Sequence, residues 1–449
     1  MRVESAKSII LILLISFSLI LTVALWYYQP DYKEVTNNET VKNTELNGEQ
    51  QTMAQIIRPD KVVFSNNNGY YTYKDSYKNN EHVKQLMDQM KNFPLLDITA
   101  TKSKGIPEGD RSVELLFPAS LPSDVITDLF SISDSNSIVS KVDFNRIFFV
   151  YKGTANEDSS AEVVFVNDQN EKVLKGLLPK NGATSLIKDL TTNKDVLRDE
   201  FLYTPDQTNH RIYLPENQVD QVPKKLLTYN AIDVAPLQNN LLSGDKVTTI
   251  ISGNQKEQRG NYKRLTYTDT WLHYVNVDSA LIGTVPSMSK YQIMTKALNE
   301  INAQMGWTDT FKINGVSTSP QKVDYLMHYN GIPVLSSSKG TSTISITYSS
   351  KNGNIREYSR PLINFDSYRY SESQDATLPS GNDVVTYIKD SPQYNERLID
   401  DIKIGYSLFP QKAGSPAYNL IPQWFVHENG KWKELDLEEQ GISSSKGGE

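Results

Sequence analysis

Serine and lysine recur in this chain at the spacing a lysine-activated nucleophile needs. Ser-x-x-Lys occurs at Ser185, Ser243, Ser287, Ser319, Ser336 and Ser443. In penicillin-binding enzymes that lysine helps the serine attack a carbonyl, and Ser-Asp-Asn-like and Lys-Thr-Gly-like elements complete the site. Neither companion occurs here. Six isolated matches are what a Ser- and Lys-rich chain yields by chance. Gly-x-Ser-x-Gly is absent, which disfavours an α/β-hydrolase.

Other chemistries fare no better. The five histidines, His82, His210, His273, His328 and His427, are never within four residues of one another. His273, His328 and His427 fall in expected strands, where a sheet-surface or satisfied core role is the ordinary reading. Adjacent carboxylates at Asp199-Glu200 and Glu438-Glu439 supply the residue types for glycosidic cleavage. Adjacent acids more often form a solvated face. There is no P-loop, no dinucleotide fingerprint and no His-Glu-x-x-His. Cysteine is absent, which removes disulfides, thiolate nucleophiles and Cys-ligated metals. Lys plus Arg total 46 against 53 Asp plus Glu, a net charge of −7, the opposite of a nucleic-acid binder's balance. The reading is therefore no enzyme, no cofactor, no metal and no small-molecule substrate. The 25 tyrosines fit half-exposed strands better than a glycan platform.

What remains is a stretch that must be positioned by a membrane. Ile9 to Tyr28 is interrupted only by Ser16, Ser18 and Thr22. Twenty helical residues span about 30 Å, the thickness of a bilayer's hydrocarbon core. Trp26, Tyr27 and Tyr28 sit at its downstream end, where aromatic rings favour the interface. The run is longer than a signal peptide's apolar region and ends in a poor cleavage site. We expect residues 1–8 as a cytoplasmic tail, 9–28 as an uncleaved anchor and 29–449 outside the cell membrane. Removing Arg2, Glu4 and Lys7, net +1, leaves −8 on the exterior part. Ser18 and Thr22 are four apart and share a face, and Leu11, Leu14, Ile15 and Leu25 extend the stripe. Small residues at this spacing let helices approach closely, and hydroxyls can bond across the contact. Back-bonding within the same helix is the plainer alternative.

Behind the anchor, residues 29–55 are polar and read as a flexible stalk. An N-terminal α+β domain is expected over 56–200. It has a helix near 80–92, carrying Val83, Leu86, Met87 and Met90 at helical spacing, and buried strands at 145–152 and 161–166. A middle α+β domain follows over 201–285, with strands near 226–232, 258–267 and 272–277. The last part, 286–449, reads as α-β-β-β twice. Its helices start near Lys290 and Asn382, and Asn-Gly turns fall at 330–331, 352–353 and 429–430. The fold class is α+β with antiparallel sheets, and 449 residues allow two to four domains.

Several short motifs in this order carry a resemblance. They are Phe144-Asn145-Arg146-Ile147, Tyr329-Asn330-Gly331-Ile332-Pro333, Tyr358-Ser359-Arg360-Pro361-Leu362, Ile404-Gly405-Tyr406 and Ile421-Pro422-Gln423-Trp424-Phe425-Val426. The turn Asn429-Gly430-Lys431-Trp432 follows the last. Over nearly its whole length the chain resembles the YycH family, accessory proteins of WalK/WalR (YycG/YycF) two-component systems in low-GC Gram-positive bacteria. The resemblance implies a three-part ectodomain whose later parts look like the partner protein YycI. It also implies no enzymatic activity, and action with YycI on the sensor kinase WalK, largely through transmembrane contacts. A cell-wall-binding module or wall-modifying enzyme is the alternative that location and tyrosine content allow.

Overall fold

The computed structural model describes residues 11, 13–22, 32–33, 45–67, 69–102, 107, 109–132, 141–151, 160–167, 172–192, 194–277, 287–338, 340–350, 352–366, 374–412 and 414–437. The chain is α+β, with two large, mainly antiparallel sheets and short helices. The nine-stranded sheet is antiparallel throughout and runs in the order 212–215, 197–203, 69–73, 61–66, 111–122, 143–151, 161–166, 172–178, 96–102. Asp143–Tyr151 lies at its centre and is apolar on both faces. Ile147, Phe149 and Tyr151 join the main core, and Phe148 and Val150 form a second cluster with Val164, Val166 and Val173 on the opposite face. The sheet does not stop at residue 200. Ile212–Pro215 pairs with Leu197–Tyr203 and closes one edge.

Helix Glu81–Met90 buries the expected Val83, Leu86, Met87 and Met90. The asparagine-rich 66–69 segment is a hairpin, with Asn66 opposite Gly69. Helix Lys290–Asn302 begins at Ser289, whose hydroxyl and the Gln292 side chain form a reciprocal cap. Ser380 and Asp383 do the same for helix Gly381–Asp390.

The second sheet differs from the expected double α-β-β-β. Among the described residues seven strands, not three, lie between its two helices, because Phe311–Thr318, Ile332–Ser337, Ile363–Asp366 and Gln374–Leu378 add to the three expected. Ile332–Ser337 arises from the turn at Asn330 and Gly331, whose φ values are +50° and +85°. It closes a two-residue hairpin, Tyr329 opposite Ile332. The strand leaving it departs from its neighbour and runs parallel to Ile399–Pro410. The expected strand near 258–267 is two strands, Gln255–Arg259 and Lys263–Tyr267. Trp271–Asn276 pairs with Ile355–Pro361, so the meander of the middle segment continues directly into the last part.

Within the 29–55 segment, Tyr32–Lys33 pairs with Thr249 and Ile250. Residues 45–57 are packed. Leu46 donates its N–H to Gln304 O, Gly48 to Met305 O and Glu49 to Trp307 O, at 2.8, 2.9 and 3.0 Å. Gln51 exchanges two hydrogen bonds with the Asn302 amide, and the Trp307 indole donates to Asn302 Oδ1 at 2.8 Å. Leu46, Met53, Ala54, Ile56 and Ile57 are buried. Polar composition misled here because this segment gets its stability from main-chain pairing and five scattered apolar anchors. It is a strap that crosses from the second sheet to the first, which it enters at Lys61–Asn66.

Candidate functional site

Two regions compete for the functional role. The first is the helix at residue 11 and 13–22. Leu11, Leu14 and Ile15 are 60, 62 and 53% exposed, and Ser18 and Thr22 are exposed as well. Thr22 Oγ1 donates to Ser18 O at 2.8 Å, so its hydroxyl is spent within its own helix, as serine and threonine commonly do. Leu25 and the aromatic trio Trp26, Tyr27 and Tyr28 lie outside the described residues. Among the described residues no helix is long and apolar enough to cross a membrane.

The second region is a cleft of about 470 Å³ between the two sheets. Lys61, Tyr77, Arg146 and Arg211 line one wall, and His328, Asp400, Asp401, Lys403 and Trp432 the other. Asp60, the last residue of the strap, lies between them.

The basic wall is largely neutralised from beneath. Lys61 donates to Glu200 Oε2 at 2.9 Å and to Tyr213 O at 2.6 Å. Burial opposes the Lys61 charge, yet Glu200 holds its ammonium above the usual lysine value. Arg146 pairs with buried Glu114, which also accepts from the Tyr213 hydroxyl at 2.5 Å. Arg211 donates to the same hydroxyl at 2.7 Å.

The acidic wall centres on Asp60. Lys403 reaches Asp60 Oδ2 at 2.8 Å and Asp401 at 2.7 Å, and lies 4.8 Å from the Trp432 ring centre. Burial would raise the Asp60 carboxyl, but the Lys403 and Lys312 ammonium groups hold it well below the usual carboxylate range. The same burial lowers Lys312 to about 8 and, with Lys312 beside it, lowers His328 to about 4. His328 Nδ1 lies 3.0 Å from Leu326 O. A carbonyl can only accept, so Nδ1 carries the proton and Nε2 of the neutral ring is an acceptor. The five histidines form no metal cluster among the described residues.

Sequence reasoning singled out none of Asp60, Lys403 and Arg211, and it placed His328 in an ordinary strand. His328 is indeed buried in a strand, but only one of its nitrogens is partnered. No local motif marks these residues, because they are brought together from positions 60, 211, 328 and 403.

Residues 4–195 match the YycH N-terminal domain model and residues 209–441 the YycH C-terminal domain model. The chain belongs to the YycH family. A Bacillus subtilis relative named "two-component system WalR/WalK regulatory protein YycH" is 21% identical, covering 96% of each chain. The crystal structure of YycH from Bacillus subtilis superimposes with a TM-score of 0.68 at 17% identity, over 88% of this chain and all of that one. That likeness shows a shared fold.

Proposed function

We propose that this chain is a non-catalytic regulator of a WalK-type sensor histidine kinase, acting with a YycI-like partner and thereby influencing cell-wall homeostasis. Residues 9–28 span the cell membrane, residues 1–8 remain cytoplasmic and residues 29–449 stand outside. Leu11, Leu14, Ile15, Ser18 and Leu25 contact neighbouring helices, with Trp26, Tyr27 and Tyr28 at the interface. Thr22 contributes its methyl group to this contact, since its hydroxyl is occupied by Ser18 O. The ectodomain adds contacts of its own.

The observation that carries this reading is the charge-free apolar run, whose described large side chains are all at least half exposed. A helix covered by lipid and by other helices needs no partner within its own chain. The regulatory role is supported by the relative's name and by the family match along the chain. A regulator shifts a kinase equilibrium only by binding its two states unequally. A difference of about 1–3 kcal/mol changes output five- to 150-fold. Replacing residues 9–28 with an unrelated apolar helix tests the idea. Kinase output should lose its dependence on this protein while the exterior part stays folded and membrane-bound. Unchanged output in that swap would sink the helix-centred mechanism.

A further inference from the structure

Asp60 Oδ1 and His328 Nε2 face one another across 3.6 Å, buried, and neither accepts a hydrogen bond from any described residue. The carboxylate is an acceptor, and so is Nε2, because the ring proton is committed to Leu326 O. Two buried acceptors opposed in this way each forfeit a hydrogen bond, and the loss is larger for a charged group. A group that satisfies both must bring at least two donors. An ammonium has three and a water two, whereas a hydroxyl has one.

The cleft that contains this pair has the size of a small-molecule site, which typically measures about 300–1,000 Å³. Beside the acceptor pair stand Asp400, Asp401 and Lys403, the last already bonded to Asp60 Oδ2 and to Asp401. On the facing wall, Glu200 and Glu114 engage Lys61 and Arg146. Arg211 is less directly engaged. It bonds the Tyr213 hydroxyl and lies over the faces of the Tyr70 and Tyr213 rings, with Glu114 acting on it through space and no carboxylate hydrogen-bonded to it among the described residues.

We propose that the cleft is a binding site for a small dipolar molecule, a short peptide with a free amino terminus and a free carboxylate. The ammonium sits between Asp60 and His328, and the carboxylate reaches Arg211. Two acceptors bonded to one tetrahedral donor stand about 4.5 Å apart. Seating the ammonium therefore widens the 3.6 Å pair and moves Asp60, the end of the strap that leads back towards the membrane. The site is independent of the helix-centred reading above, and the helix swap neither supports nor harms it.

Three peptides titrated calorimetrically into the full chain in detergent test the proposal: trialanine, N-acetyl-trialanine and trialanine amide. Trialanine should bind saturably and slow amide exchange at 56–62 and 326–334. Acetylation and amidation should each weaken it about tenfold or more, the loss of one charged hydrogen-bonded contact. Arg211→Gln should weaken trialanine to a similar degree and leave the amide unaffected. A merely structural role for Arg211 would weaken both alike. The proposal is overturned if none of the three binds, if all bind equally, if the protected segments lie elsewhere, or if peptide-treated crystals hold only a water between Asp60 and His328.

Discussion

Leu14 and Ile57 are both aliphatic, yet Leu14 is 62% exposed and Ile57 fully buried. The helix around Leu14 presents its large side chains outward, whereas the strap around Ile57 binds both sheets. The strap is secured at each end by a different buried node. Where it meets the second sheet, Arg360 donates to Gly306 O at 3.0 Å and to Thr308 at 3.2 Å, fixing the loop that holds Gly48 and Glu49. Where it enters the first sheet, Asp60 meets Lys403 and His328. A segment fixed to both sheets couples their junction to whatever moves the strap, which a uniformly flexible stalk would not.

The sharpest way to break this contrast is to remove the strap's principal anchor. Trp307 is buried, packs edge-on against Tyr325 at 5.0 Å and bonds Asn302. Trp307→Ala should cost about 3–5 kcal/mol in urea denaturation. It should also raise protease cleavage within 45–57. Leu14→Ala, made in parallel, should leave both measurements unchanged. Equal sensitivity of the two variants would remove the distinction between the segments.

The two nodes also respond oppositely to pH. Burial and Lys312 depress His328 to about 4, so between pH 4 and 6.5 the unfolded chain binds the extra proton, and stability falls as pH falls. At the other node burial raises Asp309 to about 7, against the Phe365 N–H and Arg360. From pH 3.8 to 7 the folded chain holds that proton, so stability falls as pH rises. The His328 slope is worth about 3 kcal/mol and the Asp309 slope about 4 kcal/mol over their windows, and between pH 4 and 6.5 they largely cancel in the wild type. Asp309→Asn should expose the His328 slope, and the variant should lose stability on acidification. His328→Gln should reveal the reverse. Melting temperatures from pH 4.5 to 6.5 decide it, and parallel curves for both variants would refute the assignment.

How far the sequence revealed these features depended on whether a local rule governed them. Helix Glu81–Met90, the helix starts near Lys290 and Asn382 and the turns at Asn330-Gly331 and Asn429-Gly430 follow from periodicity and positive φ, all local. The strap does not. Its residues 45–52 are polar apart from Leu46, and what orders them are the burial of that leucine and the carbonyls of Gln304, Met305 and Trp307, some 250 residues away. The cleft was equally hidden, since Asp60, Arg211, His328 and Lys403 share no spacing. The apolar run over 9–28, by contrast, was legible from the local sequence alone.

A smaller effect tests how closely the strap is fitted. A Cβ on Gly48 would stand 2.6 Å from the carbonyl oxygens of both Met305 and Trp307, and backbone cannot give way as a side chain can. Gly48→Ala should therefore cost about 1–3 kcal/mol, in the range of overpacked sites. Faster exchange of the Glu49 and Trp307 amides should accompany it. A variant as stable as the parent would mean the strap can shift without loss, and its fixed end would no longer differ from its free one.

The smallest effect lies at the other end of the comparison. The Thr22 hydroxyl bonds only Ser18 O, which already serves its own helix. Thr22→Val keeps the shape and removes that bond, so exterior stability should not move and kinase regulation should persist. Ser18→Leu adds bulk to the same stripe without touching the ectodomain. If helix contacts carry the signal, Ser18→Leu should lower regulation several-fold where Thr22→Val does not, measured with a WalK-dependent reporter at matched protein levels. Equal loss in both would assign the role to the Thr22 hydroxyl. No loss in either would place the contact on another face of the helix.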